Sequence, residues 1–288
     1  MLLDNTAIRH IHLFDSRNSA FKDDAVLQEN IIIFLEKNGD QREVTVSLSN
    51  DDTFSDMRVH QVPFNQIVKP GDSERFIHIP VQSDTPEAAL PKGATWSLDE
   101  IGLQVSTGPV VDFRVREYLR AMPEPGSVPL IYPGHFSGQT VNWPRPDFKK
   151  SNALMGHHEI SKWLYPSGYY TVVRRFSTKE ESRRIVANVV TPEDFNFSAL
   201  GFENHLNVFH SGKQGLSEDL ARGLGLFLNS SAVDAYFRRF NGHTQVNATD
   251  LRSMKYPSRA ELSRVGQWAK SQRELTQGKI DSQLGKIA

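Results

Sequence analysis

The fold is decided close to the N-terminus, where the sequence runs Val26-Leu27-Gln28-Glu29-Asn30-Ile31-Ile32-Ile33-Phe34-Leu35. Its last five residues are apolar without a break, which is typical of a strand buried on both faces of a doubly wound sheet. Upstream, Ile8–Phe14 largely alternates apolar and polar residues, the pattern of a half-buried strand. The first 40 residues cannot cover a doubly buried strand, so we expect the rest of its sheet to lie outside this chain.

The composition is that of a globular protein. Hydrophobic residues make up 38% of the 288 and charged residues 23%, which is enough to build a core. No apolar run approaches the ~18 residues of a membrane span, and Met1–Asn5 lacks the basic start of a signal peptide. The chain has no cysteine, which excludes disulfides and thiolate metal sites. We therefore expect a cytoplasmic protein without a membrane partner.

The net charge of −1 conceals an uneven distribution. Residues 1–100 carry a net charge of −8, residues 101–270 carry +6, and the last 18 residues add +1. Two interpretations stay open. The charges either lie on ordinary solvated surfaces, or a basic module that binds a polyanion is joined to an acidic part with another role.

A domain boundary is predicted where Pro86, Pro91 and Gly93 punctuate a stretch typical of a linker, Asp84–Gly93. We predict one domain in residues 1–95, a second in residues 96–265, and a helical or frayed tail in residues 266–288. The further strands that we predict are Glu43–Leu48, Gln61–Val68, Arg75–Val81, Gln104–Gly108, Val110–Arg114, Val128–Tyr132, Tyr169–Phe176 and Asn207–His210. The predicted helices are the start of Lys179–Ala187, then Leu216–Leu228, Val233–Phe240 and Arg259–Leu275.

Signatures of catalysis and of cofactor binding are missing from the sequence. No Gly-x-Gly-x-x-Gly follows a predicted strand, and no phosphate-binding P-loop is present. Gly223-Leu224-Gly225 lies inside a helical pattern and indicates close helix packing. The pairs His157-His158 and His205/His210 lack carboxylates at ligand spacing, so we expect no metal site. We assign no catalytic, cofactor-binding or metal-binding residue.

Two polar stretches suit a nucleic acid. Arg174–Arg184 carries five cations at the end of a predicted strand, where they would suit a phosphodiester backbone. Arg238–Asn247 ends a helix with two arginines, turns at Gly242 and then presents amide and imidazole groups that can pair with base edges. The alternatives are a solvated helix face for the first stretch and a turn satisfied by its own amides for the second. Our candidates for phosphate contact are Arg174, Arg175, Lys179, Arg183 and Arg184, and those in the turn are Arg239 with Asn241, His243, Gln245 and Asn247 for base edges.

Two further stretches leave their role open. Asn204-His205-Leu206-Asn207 is a dense patch of amides and imidazole. The loop around residues 134–150 interleaves aromatic residues with cations and either grips nucleic acid by stacking and charge or covers the core.

Several stretches together resemble the C-terminal half of the adenine-N6 DNA methyltransferases of type II restriction–modification systems, in the class with a Taq-like catalytic domain. They are Val105–Arg114, Val128–Pro133, Arg174–Glu181, Gly201–Asn207 and, most closely, Val233–Arg252. Ile8–Leu35 resembles the last strands of the catalytic domain. The similarity covers roughly residues 5–265. It implies an α/β remnant of a doubly wound methyltransferase sheet, joined to an α+β target-recognition domain.

The resemblance also implies what the chain lacks. In this family the catalytic Asn-Pro-Pro-aromatic loop and the glycine motif for S-adenosylmethionine precede the region equivalent to Ile8. Asn142-Trp143-Pro144-Arg145-Pro146 is no substitute for that loop, because its prolines are not adjacent. The complete enzyme would bind S-adenosylmethionine, and this chain would bind no cofactor and be inactive alone.

The function that we expect from the resemblance is sequence-specific recognition of double-stranded DNA. A separate chain carrying the catalytic half, a truncated gene and a fragment would all give this sequence. The alternatives are a stand-alone specificity subunit without catalysis and a protein-binding module with no nucleic-acid role.

Overall fold

The computed structural model describes residues 2–14, 31–68, 70, 75, 77, 79, 90–138, 140–177, 181–240 and 245–287. The chain divides into two compact units. The first comprises Met1–Glu87 and residues 236–240, and the second comprises Ala88–Ala235 and Gln245–Ala288. The break after Glu87 falls within the stretch predicted as a linker.

The elements follow one another along the chain with short connections. The strands are β1 (Thr6–Phe14), β2 (Ile31–Lys37), β3 (Val44–Ser49), β4 (Arg58–Val62), β5 (Gln104–Thr107), β6 (Leu119–Arg120), β7 (Ser127–Ile131), β8 (Phe136–Ser137), β9 (Thr140–Val141), β10 (Ala153–Met155), β11 (Tyr165–Pro166), β12 (Tyr170–Arg174), β13 (Ala187–Val190), β14 (Ala199–Phe202) and β15 (Leu206–His210). The helices are α1 (Leu2–Asn5), α2 (Phe64–Ile67), α3 (His158–Ser161), α4 (Glu218–Leu228), α5 (Ser231–Phe240), α6 (Ala248–Ser253), α7 (Arg259–Lys270) and α8 (Gln277–Leu284). Short 3-10 turns cover Asp112–Arg114, Arg116–Tyr118, Pro133–His135 and Pro192–Asp194.

The first unit is built on a mixed four-stranded sheet in the order β2-β1-β3-β4. β1 is parallel to β3 and antiparallel to β2, and β3 is antiparallel to β4. Ile8 and Ile11 of β1 pack with Val44 and Val46 of β3, and all four side chains are fully buried. The strand predicted at Ile8–Phe14 is thus confirmed, and it is an interior strand of the sheet.

β2 lies at the edge of this sheet and is far more exposed than the sequence pattern predicted. Ile33 and Leu35 pack against the core, but Ile32 is 55% exposed and Phe34 is 63% exposed. Side chains alternate between the two faces of a strand, so the second pair lies on the face opposite the core. The predicted burial on both faces is not met by the described residues of this chain.

Two sequence predictions fail where local sterics decide the backbone. The strand predicted over Gln61–Val68 ends at Val62, and α2 follows. Pro63 lacks the N–H that a continuing ladder needs, so the strand stops there. Val110–Arg114 is not a strand either, because Val110 makes a single bridge with Glu203 before the 3-10 turn begins.

The helix predicted to begin in Lys179–Ala187 is not present in its described part. Residues 181–186 are irregular, and β13 begins at Ala187. Arg174 donates a backbone hydrogen bond to the carbonyl of Val186, so this segment runs beside the end of β12. A tertiary contact has here overridden a local helical pattern.

The second unit contains two sheets and a short hairpin. The sheets have the orders β11-β14-β7-β10-β6 and β13-β12-β15-β5, and β8 pairs with β9. Tyr165, Tyr170 and Phe202 are almost fully buried and pack edge-to-face in a core that both sheets supply. The predicted strands that correspond to β5, β7, β12 and β15 are confirmed, and the molecule is a mixed α/β protein.

Helices cover one side of the second unit. A Cβ built on Gly223 of α4 would lie 1.8 Å from the carbonyl oxygen of Leu262, and one on Gly266 of α7 would lie 1.8 Å from that of Asp219. Only glycine permits this approach, which confirms the close helix packing predicted at Gly223. α8 buries Ile280 and Leu284, so the predicted tail is largely helical. Among the described helices, none is both long and apolar enough to span a bilayer.

The exposed row of β2 gives a first prediction. We expect the double variant Ile32→Thr, Phe34→Thr to associate less with itself in sedimentation velocity. Its free energy of unfolding in urea should change by less than about 1 kcal/mol, because exposed side chains contribute little to stability. The matched control is Ile11→Ala on the buried face, which should cost about 2–5 kcal/mol. A double variant as unstable as Ile11→Ala would show that β2 is buried in solution.

Candidate nucleic-acid interface

Three segments that are distant in sequence meet where β12 ends. The backbone N–H of Arg175 donates to the carbonyl of His205 at 2.8 Å, and that of Val246 donates to the carbonyl of Arg175 at 2.7 Å. Phe176 forms an antiparallel bridge with Gln245. The end of β12, the residues before β15 and the segment that begins at Gln245 therefore form one continuous surface.

Arg175 and Gln245, which were predicted as a phosphate contact and a base contact, are neighbours here. Arg175 donates from Nη1 to the carbonyl of Asn204 at 2.8 Å and from Nη2 to Oε1 of Gln245 at 3.1 Å. Arg174 forms an ion pair with Glu181. Both arginines are half-buried, so their hydrogen bonds with the protein fix the guanidinium groups before any ligand arrives.

The other cations of the run have different surroundings. Arg183 donates from Nη1 to the carbonyl of Asn229 at 2.5 Å. Arg184 is only 1% exposed, its Nε donates to Oγ of Ser177 at 3.2 Å, and its backbone N–H donates to Oδ1 of Asp234 at 2.6 Å. A phosphate cannot reach a side chain at that depth, so the expectation for Arg184 does not fit and we assign it a structural role. Lys179 lies outside the described residues.

The predicted turn is only partly described. Asn241 and His243 lie outside the described residues, and Arg239 lies in α5, where the description covers its backbone alone. Asn247 occupies the N-cap of α6, and its backbone N–H donates to Oδ2 of Asp250 at 2.9 Å. That position favours asparagine for helix initiation, which supplies a structural reason for the residue.

The sequence analysis left one feature of this surface unassigned. Glu203 is fully buried, and its Oε1 lies 2.5 Å from Nδ1 of His205. Burial raises the pKa of the Glu203 carboxyl. Phe176 is 42% exposed, and its ring centre lies 5.0 Å from that of His205. We call the set Arg175, Phe176, Glu203, His205 and Gln245 the strand-end patch.

The aromatic loop near residues 134–150 covers the core. His135 is fully buried, accepts the backbone N–H of Tyr132 at 3.0 Å and contacts Oδ1 of Asn152 at 3.0 Å. Burial lowers the pKa of His135 to about 4, so it is neutral at pH 7. Nε1 of Trp143 donates to the carbonyl of Asn152, and Arg145 donates to that of Gly134. These bonds favour the core-covering interpretation.

The histidine pairs do not both remain separate from carboxylates. His210 contacts Oγ of Ser106 at 2.9 Å, whereas His205 contacts Glu203, so these two histidines do not share a site. His157 and His158, however, lie with Glu159 so that one ligand atom of each falls within 4.8 Å of the others. All three are exposed, and the Glu159 carboxylate already accepts the hydroxyl of Tyr118.

Two curated proteins are similar to the chain over most of its length. The type II methyltransferase M.BsuBI of Bacillus subtilis is 53% identical over 287 residues, which are 99% of this chain and 57% of that protein. The type II methyltransferase M.PstI of Providencia stuartii is 45% identical over 266 residues, which are 92% of this chain and 52% of that protein. The chain therefore spans about half the length of the curated relatives it matches.

These matches confirm the resemblance that the motifs predicted: the chain is a relative of the type II methyltransferases of restriction–modification systems. No family model matches it. Among solved structures, the type IIL restriction-modification enzyme MmeI in complex with DNA covers 98% of this chain and 42% of its own, with a TM-score of 0.47 and 11% sequence identity. At that level of similarity the superposition carries no functional information.

The burial of Arg184 gives a second prediction. Arg184→Met keeps most of the side-chain volume but leaves Ser177 and its neighbours without a buried partner. We expect a loss of about 1–3 kcal/mol in the free energy of unfolding, measured by urea denaturation. The exposed Arg264, whose side chain is 73% exposed, is the control. Arg264→Met should change the stability by less than about 0.5 kcal/mol. Equal effects of the two substitutions would contradict the structural role of Arg184.

Proposed function

We propose that the chain is the C-terminal, DNA-recognising half of an adenine-N6 DNA methyltransferase of a restriction–modification system. The observation that carries the proposal is the 53% identity to M.BsuBI over nearly all of this chain and just over half of that protein. The second unit would recognise the target sequence in double-stranded DNA. The target adenine would then be flipped out of the duplex and methylated from S-adenosylmethionine by the catalytic half.

The first unit supports the division into halves. We propose that its sheet is the last part of the doubly wound catalytic sheet, and that a strand of the other half pairs with the open edge of β2. The apolar row of Ile32 and Phe34 would pack beneath elements of that half. An edge with exposed apolar side chains is the kind of surface that proteins cover by pairing. The other half would be contributed by the same polypeptide or by a separate chain.

The strand-end patch supports duplex recognition by the second unit. Residues 101–270 carry a net charge of +6, which favours a polyanion. Arg174 and Arg183 lie half-buried near the end of β12, and we propose them, with Lys179 and Arg239, for the phosphate backbone. Gln245, whose amide is held by Arg175, is proposed for a base edge together with Asn241 and His243.

A third prediction tests DNA binding through the ion pair between Arg174 and Glu181. Glu181 competes with a phosphate for the guanidinium. Arg174→Ala should weaken binding to every duplex and lower the slope of log Kd against log salt by about one unit. Glu181→Gln should instead strengthen binding. The measurement is fluorescence anisotropy of the full chain with duplexes at several salt concentrations, after the bound sequences have been selected from a random pool.

Each result of that experiment decides something. A selected sequence, with a steep dependence of affinity on salt, supports the proposal. Binding without any sequence preference would contradict the recognition role. An unchanged salt slope in Arg174→Ala would remove this arginine from the phosphate contacts.

A fourth prediction separates recognition from catalysis. The purified chain should transfer no labelled methyl groups to duplexes that contain the selected sequence. Addition of the part of M.BsuBI that this chain does not cover should restore transfer to adenine, because the two proteins are 53% identical where they overlap. Turnover by the chain alone would overturn the division. Transfer by the M.BsuBI part alone would show that recognition does not need this chain.

A further inference from the structure

The orientation of His205 is fixed by a buried carboxylate. Oε2 of Glu203 accepts the backbone N–H of His205 at 2.9 Å, and Oε1 lies 2.5 Å from Nδ1 of the ring. A carboxylate that accepts at Nδ1 places the proton of the neutral imidazole on that nitrogen, which leaves Nε2 as an acceptor. The His205 side chain is 45% exposed. Nε2 has no hydrogen-bond partner among the residues that the structure describes.

Phe176 is held beside this imidazole. Its backbone bridges Gln245, and its ring is tilted by 41° to the ring of His205, at a distance of 5.0 Å between the centres. Arg175, the preceding residue, is fastened to the carbonyl of Asn204 and to Gln245. The phenyl ring is therefore presented to solvent from a backbone that three segments hold in place.

The combination of groups is more informative than the exposure of one phenylalanine. Single exposed apolar residues are common and need no explanation. Here an apolar ring, a fixed acceptor nitrogen and the amide of Gln245 lie together on a basic unit. The edges of DNA bases in the major groove present the complementary groups, namely the methyl group of thymine and amino donors of adenine and cytosine.

We propose that Phe176 and His205 read DNA bases in the major groove, with the ring of Phe176 packed on the 5-methyl group of a thymine and Nε2 of His205 accepting from an amino group of a nearby base. Glu203 is a positioning residue that fixes the ring of His205. The inference rests on the proposed DNA recognition and adds two reading residues to it. Neither residue needs to approach the catalytic half.

The test combines protein variants with altered DNA, using the full chain and the duplex sequence selected from a random pool. Each thymine of that sequence is replaced in turn by uracil, which removes only the methyl group. One replacement should weaken binding of the wild-type chain by about fourfold, the effect of burying one methyl group. The same replacement should have no effect on Phe176→Ala, because a contact that is already lost cannot be lost twice.

His205 is tested by its discrimination between bases. His205→Ala should reduce discrimination at a single base pair by between about twofold and tenfold, the range for one hydrogen bond. Its matched control is His158→Ala, another exposed histidine of the second unit. The control for Phe176 is Trp96→Ala, which removes an aromatic side chain that is 44% exposed. Both controls should bind all duplexes as the wild type does.

The outcomes distinguish this inference from the proposed function. Failure of the wild-type chain to select any sequence would contradict the proposed function itself. If the wild type selects a site but no thymine couples to Phe176, or if His205→Ala weakens all duplexes alike, the reading pair is wrong and the recognition role stands. Should Phe176→Ala fail to fold, Phe176→Leu keeps an apolar side chain, and its response to uracil gives the same decision.

Discussion

The peptide groups on both sides of Val246 are bonded to different segments of the second unit. Its N–H donates to the carbonyl of Arg175, and its carbonyl accepts Nδ2 of Asn207 at 2.7 Å. Asn207 is fully buried, and its Oδ1 accepts the hydroxyl of Thr107 from β5. A buried amide that lost these partners would bear the cost of an unsatisfied polar group. The position of Gln245, and with it the strand-end patch, depends on these bonds.

The same requirement explains why the cationic run is not a uniform basic surface. Buried carbonyls and carboxylates must find donors, and arginine offers five N–H groups in a fixed fork. Arg183 and Arg184 meet this requirement inside the second unit, at the carbonyl of Asn229 and the hydroxyl of Ser177. Residues in the run thus differ in role according to which internal acceptors lie near them. Charge density along the sequence overestimates the charge available to a ligand.

Sequence periodicity predicted the elements whose cause is local. The alternation in Ile8–Phe14 and the helical spacing in Leu216–Leu228 both correspond to observed elements. The failures lie where a proline or a tertiary contact decides, as at Pro63 and in the segment beside the end of β12. The site was predictable in part, because Arg175 and Gln245 belong to stretches of unusual composition. Phe176 and Glu203 gave no such signal, since exposure of a phenylalanine and burial of a glutamate depend on contacts between residues far apart in sequence.

The face of the first sheet that lies opposite its core is neither a core nor an ordinary surface. His12 is 5% exposed and contacts the hydroxyls of Ser47 and Ser49, and burial lowers its pKa. In register with it on β2 stands the exposed Ile32. A face that combines satisfied polar groups with an uncovered apolar row resembles the surface of a protein interface more than a solvated sheet. The core that Ile8, Ile11 and their partners form is complete on its own side, so this unit can hold its sheet together. Its other face gains stability from a further layer, which is the arrangement that a half-length relative of a larger enzyme requires.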